Sequence, residues 1–330
     1  MARQGYGQMS LDDAVVTHRL GSNARLDKID RLIDWSRVER LLAPIYSSPV
    51  GQESYPVLTL FKAQLLGRWY QLSDPALEEA LADRLSFRRF VGLGLDGSVP
   101  DHCTLWRFRD QMAQRGLDRA AFDEIGRQLE RRGLTLKHGT LMDATVVQAQ
   151  AGPPSYEQGA QGAGQGAGTG SPSDPDAAWT RKRGQSFFGY GMHAGVDQGS
   201  ELIRTLEVTR ANCNESAVAD ALICGDEDAV YADKGYENKR RRKRLRAQGT
   251  KDRIMHRADK HRPQLPHWKQ RRNKLIAPIR APIERVLGTL KRGYGFHRTR
   301  GFSLAATRAD AYLTAIAYNL RRAERLEAAT

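Results

Sequence analysis

Three acidic residues stand where an acid is costly. Asp143 interrupts the apolar run LMDATVV, Asp233 closes the run AVYAD, and Glu284 lies in the most basic part of the chain. A carboxylate in an otherwise apolar strand needs a cation or a donor to offset its desolvation. Hard oxygen ligands suit Mg²⁺. Three of them brought together would hold two divalent ions about 4 Å apart, the arrangement that stabilises both the attacking and the leaving oxygen of a phosphodiester displacement. At about 100° per residue, Ile283, Val286, Leu287 and Leu290 form one helical stripe, and Glu284 and Lys291 project together along its flank. Arg280 joins them if the helix begins early. This reads as a metal ligand between two phosphate-binding cations, or as a surface pair on an amphipathic helix.

The charge balance names the partner class. The 330 residues carry 52 Lys and Arg against 38 Asp and Glu, a net charge of +14. Between residues 239 and 300 there are 22 Lys and Arg against Asp252, Asp259 and Glu284, so the whole basic excess lies in that segment. A merely solvated surface would mix the signs. A polyanion is implied, double-stranded DNA first. The candidate phosphate contacts are Arg240, Arg241, Arg242 and Arg244 in ENKRRRKRLRAQG, with Arg298 and Arg300 in KRGYGFHRTRGF. Tyr294, Phe296, His297 and Phe302 interleave with the latter and could stack on unpaired bases; burial of Phe296 and Phe302 against the last helix is the alternative. Trp268 could receive a flipped base.

Other classes fall away. Cys103, Cys213 and Cys224 are odd in number and form no CxxC pair, which argues against a disulfide framework and a structural zinc site. His256, His261 and His267 are irregularly spaced. No apolar run is long enough to span a bilayer, so a soluble, intracellular protein is expected, with no membrane partner.

These residues need elements to hold them. Residues 1–134 read as all-helical, with Ser73-Asp74-Pro75 and Pro100-Asp101 opening helices. A helix pair around 92–99 reads as a bundle or as a helix-turn-helix presenting Thr104, Arg107 and Arg109 to DNA. From residue 135 to 330 the pattern is α/β. Strands are expected at 141–147, 187–197, 202–208 and 229–233, the last reached by a helical crossover and therefore parallel. Within 187–197, Phe188, Tyr190, Met192, Ala194 and Val196 share one face, while His193 lies on the other, near the presumed site. Residues 151–178, rich in Gly, Ala, Gln and Ser, read as a flexible surface insertion. A basic helix follows Asp233, then a short strand at 253–256 and a helix at 282–291. Pro278 either belongs to that helix, with Pro282 kinking it, or to the loop before it.

The spacing Arg280-x3-Glu284-x6-Lys291, with Asp143 in MDAT and Asp233 in ADKGY, resembles the DDE transposases of bacterial insertion sequences, the insertion-sequence-five group among them. SVPDHCTLWRFRDQM and FFGYGMHAGVD extend the likeness over most of the chain. One position departs from it: Ala277 stands where the family signature, Tyr-x2-Arg-x3-Glu-x6-Lys, has tyrosine. Only 50 residues separate Asp233 from Glu284, too few for the insertion domain of the insertion-sequence-four relatives. The resemblance implies a ribonuclease-H-like mixed sheet with flanking helices behind a helical DNA-binding and assembly region. It further implies metal-dependent cleavage at transposon ends and joining of 3′-hydroxyls to target DNA. Asp143, Asp233 and Glu284 would then bind two Mg²⁺, with Mn²⁺ able to substitute, and Arg280 and Lys291 would hold phosphates. A homodimer or larger synaptic assembly, cytoplasmic at the bacterial nucleoid, is implied as well. A domesticated DNA-binding regulator and a stand-alone nuclease of the same fold are the alternatives.

Overall fold

The computed structural model describes residues 23–46, 54–152, 171, 173–182, 184–258 and 264–328. Most of the Gly-rich stretch, with the expectation of a flexible insertion there, lies outside them, as does His261. The chain divides into two units, Met1–Arg132 with Tyr312–Thr330, and Gly133–Ala311.

The first unit is helical: α1 (Ala24–Leu32), α2 (Trp35–Leu42), α3 (Val57–Trp69), α4 (Asp74–Asp83), α5 (Leu85–Val91), α6 (His102–Arg115) and α7 (Leu117–Arg131). The sequence VLTLFKAQLLGRW is apolar nearly all round, and α3 is accordingly buried on every side. Lys62, within it, keeps a counter-charge through Asp30 at 2.5 Å. Ser73 and Asp101 cap α4 and α6 as their sequences suggest, Asp101 Oδ1 accepting from the Thr104 amide at 2.6 Å. Arg109, read as a base contact, instead donates to both oxygens of Asp74 at 2.7 and 3.0 Å and to Gln64, tying α3, α4 and α6 together. Arg107 remains exposed. The sequence assigns the stretch after Tyr312 to the catalytic region. That stretch instead completes the helical unit, because its apolar side chains find partners there: Tyr312 packs on Phe122, and the Trp69 indole donates to the Ala317 carbonyl at 2.8 Å.

The second unit is built on one six-stranded mixed sheet of β1 (Thr140–Gln148), β2 (Ala178–Lys182), β3 (Gln185–Asp197), β4 (Ile203–Arg210), β5 (Ala229–Ala232) and β6 (Lys251–Ile254). β3 pairs antiparallel with β1, with β2 along its first half and with β4 along its second. β5 then adds parallel to β1, and β6 parallel to β5. An antiparallel meander followed by parallel strands is the ribonuclease-H-like order. α8 (Glu215–Val218), α9 (Lys239–Ala247), α10 (His267–Arg280), α11 (Pro282–Gly293) and α12 (Leu304–Glu327) complete the chain. On one sheet face, Met142, Val230, Ala232 and Ile254 pack with Leu222, Tyr236 and Leu245.

Pro278 lies inside α10, and Pro282 opens α11. Ala281 keeps helical torsions (φ −49°, ψ −35°) although it precedes a proline. Helical backbone therefore runs on both sides of the break, and Arg280 stays in register with Glu284 one turn on.

The basic run of α9 does not all face outward. Arg241 and Arg242 are 3% and 7% exposed. Arg241 donates to Asp220 and to the Ser216 and Tyr236 carbonyls, and Arg242 to both Asp252 oxygens at 2.9 Å and to Glu237. These two are therefore withdrawn as phosphate contacts: their charges anchor α9 to β6 and to the turn after Asp233. Asp252 also keeps Arg246 and Arg272 at 3.5 Å, so removing Arg242 weakens its compensation without abolishing it, at a cost of up to about 3–5 kcal/mol, that of a fully broken buried pair. Arg242→Met should therefore destabilise the protein by up to that amount in denaturant unfolding. A wild-type transition for Arg242→Met would show that the pair does not anchor the helix.

Candidate active site

Strand alternation aims Asp143 at one sheet face. In the β1–β3 register it pairs with Ala194, whereas His193 pairs with Ala144, so the aspartate and the histidine point to opposite faces. Across from Asp143 comes the junction of α10 and α11. Arg280 spans it, donating through Nη1 to Asp143 Oδ2 at 2.9 Å and through Nη2 to Glu284 Oε1 at 2.6 Å. Asp233 follows the last residue of β5 and caps a short turn, its Oδ1 accepting from the Lys234 amide at 2.6 Å. β1 and β5 are parallel neighbours, which brings their carboxylates to the same end of the sheet.

Asp143, Asp233, Arg280, Glu284 and Lys291 all line one cavity of about 710 Å³. Thr145, Gln148, Lys182, Glu215, Leu287 and His297 share its wall. Burial pushes the Asp143 carboxyl above its ordinary range; Arg280 opposes that rise, and the nearby Glu215 charge adds to it. Burial, and next the charge of Lys182, push Lys291 below its ordinary value. The Tyr236 hydroxyl is buried with no hydrogen-bond partner among the described residues, where the charges of Glu215, Asp143 and Asp233 act on it. A buried donor left unpaired among carboxylates fits a place where an ion and its water shell belong. The donor set is all oxygen, which suits a hard divalent cation.

Several residues proposed from the sequence lie elsewhere. His193 does not line the cavity; it is buried and bonded to Thr209 Oγ1 at 3.0 Å, and burial with the Lys182 charge pushes its pKa down to about 4, so it stays neutral. Tyr294 is 4% exposed and Phe296 1%, so neither ring is free to stack on a base, whereas Phe302, expected to bury, is 52% exposed. Arg298 donates to the Ala149 and Gln150 carbonyls, closing the end of β1. Arg240, Arg244 and Arg300 are exposed, Arg244 with Asp220 at 2.7 Å. Trp268 is exposed on α10, its ring edge-on to His256.

Lys182 and Glu215 are the charged wall residues the sequence reading missed. Lys182 carried a signal, since TRKRG adjoins the strand FFGYG; Glu215, in NES, reads only as an ordinary first-turn acid.

A cavity with carboxylates from β1, β5 and α11 beside guanidinium and ammonium groups, on a ribonuclease-H-like sheet, defines a metal-dependent enzyme of phosphodiester chemistry. Residues 135–320 match the family described as "Transposase DDE domain", and residues 15–111 the one described as "Transposase domain (DUF772)". The first match covers more than half of the chain, which therefore belongs to the DDE transposase family. Divalent-metal-dependent DNA cleavage and strand transfer follow from that membership. Among solved structures, the "Cryo-EM structure of piggyBac transposase synaptic complex with hairpin DNA" matches over 99% of this chain and 76% of its own, at 9% identity and a TM-score of 0.43.

The Arg280 bridge makes a measurable statement about Asp143. Arg280→Met removes the opposing cation, so the Asp143 carboxyl should titrate at still higher pH in ¹³C-detected carboxyl spectra. A titration unmoved by the substitution would show that the bridge does not form in solution.

Proposed function

We propose that Asp143, Asp233 and Glu284 hold two Mg²⁺, replaceable by Mn²⁺, and that Arg280 and Lys291 hold the phosphates flanking the cleaved bond. The observation that carries this reading is the convergence of the three carboxylates, from three separated parts of the chain, in one cavity with both cations. Bound there, the ions supply the charge that activates the attacking oxygen and stabilises the leaving one. The protein's own groups do the positioning. Lys291 contributes a point charge able to meet a non-bridging oxygen, while Arg280 presents a planar fork.

The substrates in this reading are the two ends of an insertion sequence of the insertion-sequence-five type and a target duplex, processed by a homodimer or larger synaptic assembly at the nucleoid. The helical unit reads end DNA or assembles the complex; Arg107 and the nearby Trp106 are exposed on α6 for either role. DNA tracks the exposed charges: Arg240 on α9, Arg271 and Lys274 on α10, and Arg300. Trp268 stands near those of α10 as the candidate acceptor of an unpaired base.

Asp233→Asn should bind end DNA as the parent does and lose Mg²⁺-dependent cleavage, whereas a cleaving Asp233→Asn protein would remove Asp233 from the metal site. Lys291→Ala should keep metal affinity but slow single-turnover cleavage roughly a hundred- to thousandfold, the usual effect of deleting one preorganised electrostatic donor. A wild-type rate would make Lys291 a bystander.

Salt dependence tests the DNA path. Replacing Arg271 and Lys274 together by alanine should reduce the slope of log affinity against log salt by about 0.9 for each phosphate that is no longer neutralised. An unchanged slope would place the DNA elsewhere.

A further inference from the structure

Glu215 is a fourth carboxylate in the cavity. It opens α8, whose start is fixed by Asn214, its side chain accepting from the Ser216 amide at 2.9 Å. Its Oε1 accepts from Lys182 Nζ at 3.1 Å. Its Oε2 lies over Gly235, where an added Cβ would stand 3.0 Å away, so the carboxylate packs against the turn that Asp233 caps. The buried, unpartnered Tyr236 hydroxyl stands in the same neighbourhood.

The cavity's charge explains why a fourth acid matters. Asp143, Asp233 and Glu284 are matched in number by Lys182, Arg280 and Lys291, so without Glu215 the wall would be formally neutral and two divalent cations would enter against three fixed positive charges. Glu215 turns the balance negative. Its partner is the cation from the tip of β2, and that ion pair is partly exposed, at 40% and 29% for the two side chains. Exposed pairs of this kind contribute little to stability. The bond is therefore easily exchanged for a stronger cation.

We propose that Glu215 is a fourth metal-binding carboxylate of this site, acting directly or through a bound water, and that Lys182 competes with the cation for it. The proposal rests on the metal-site reading above. It separates cleanly from the other role the geometry allows, in which Glu215 only anchors the β2–β3 hairpin through Lys182. An anchor is broken equally by Glu215→Gln and Lys182→Met, whereas a metal ligand and its competitor act in opposite directions.

The test is Mn²⁺ binding to the full chain without DNA, followed by isothermal titration calorimetry and by the electron paramagnetic resonance signal of free Mn²⁺. Glu215→Gln should weaken binding about 10- to 100-fold, the range seen when a group supporting a metal site is removed, and Lys182→Met should tighten it severalfold. Shifts in the same direction, or no shift in either variant, would overturn the proposal. If Glu215→Gln does not fold, the direction of Lys182→Met alone decides: tighter binding upholds the proposal, and weaker or unchanged binding defeats it. Asp143→Asn tells this failure from that of the underlying reading. If it loses Mn²⁺ while Glu215→Gln does not, only the fourth ligand is refuted; if both bind as wild type, the metal site itself is misplaced.

Discussion

The bridge of Arg280 between Asp143 and Glu284 is the interaction on which the catalytic unit depends. It joins the central strand of the sheet to the α10–α11 junction, 137 residues further along the chain. Asp143 depends on it most, since burial raises its carboxyl and Arg280, helped by the Ala144 amide, opposes that rise. The same guanidinium holds the two acids at one end of the cavity. Everything else in the unit serves that convergence. The parallel pairing of β1 and β5 brings Asp233 alongside, the apolar stripe of Ile283, Val286, Leu287 and Leu290 seats α11, and the break at Pro282 keeps Arg280 one turn from Glu284.

Much of this was legible in the sequence because burial and catalysis impose opposite demands on the same residues. An acid inside LMDATVV and an acid ending AVYAD conflict with the strands that carry them, and such conflicts mark sites. The strand pattern and the crossover to β5 followed from period-2 alternation and from the helix between strands. The caps at Ser73 and Asp101 and the helix from Pro282 followed from local backbone chemistry. What the spacing of charges could not convey was which of them would be spent internally. Arg241 and Arg242 look identical to Arg240 in a string of six basic residues, yet a helix turns them inward to Asp220 and Asp252, whose positions are set by other elements.

The same limit accounts for Lys182 and Glu215. Each is ordinary in its own segment and becomes part of the site only when β2, paired to β3, and α8 meet at the wall of one cavity. Tyr294 and Phe302 show the converse. Aromatic interleaving with basic residues suggested stacking for both, with burial as the alternative for Phe302, yet packing buries Tyr294 and leaves Phe302 exposed. Exposed cations line α9 and α10, which lie between Asp233 and Glu284 in sequence.

The proposed contact of Asp143, Asp233 and Glu284 with the catalytic ions is tested most directly by an exchange of ligand softness. Each acid would be replaced singly by cysteine, and cleavage of end DNA followed with Mg²⁺ and with the more thiophilic Mn²⁺. The account predicts three variants inactive in Mg²⁺ that regain cleavage in Mn²⁺ while binding DNA as the parent does. Variants that cleave in Mg²⁺, or that stay inactive with both ions while still binding DNA, would contradict it.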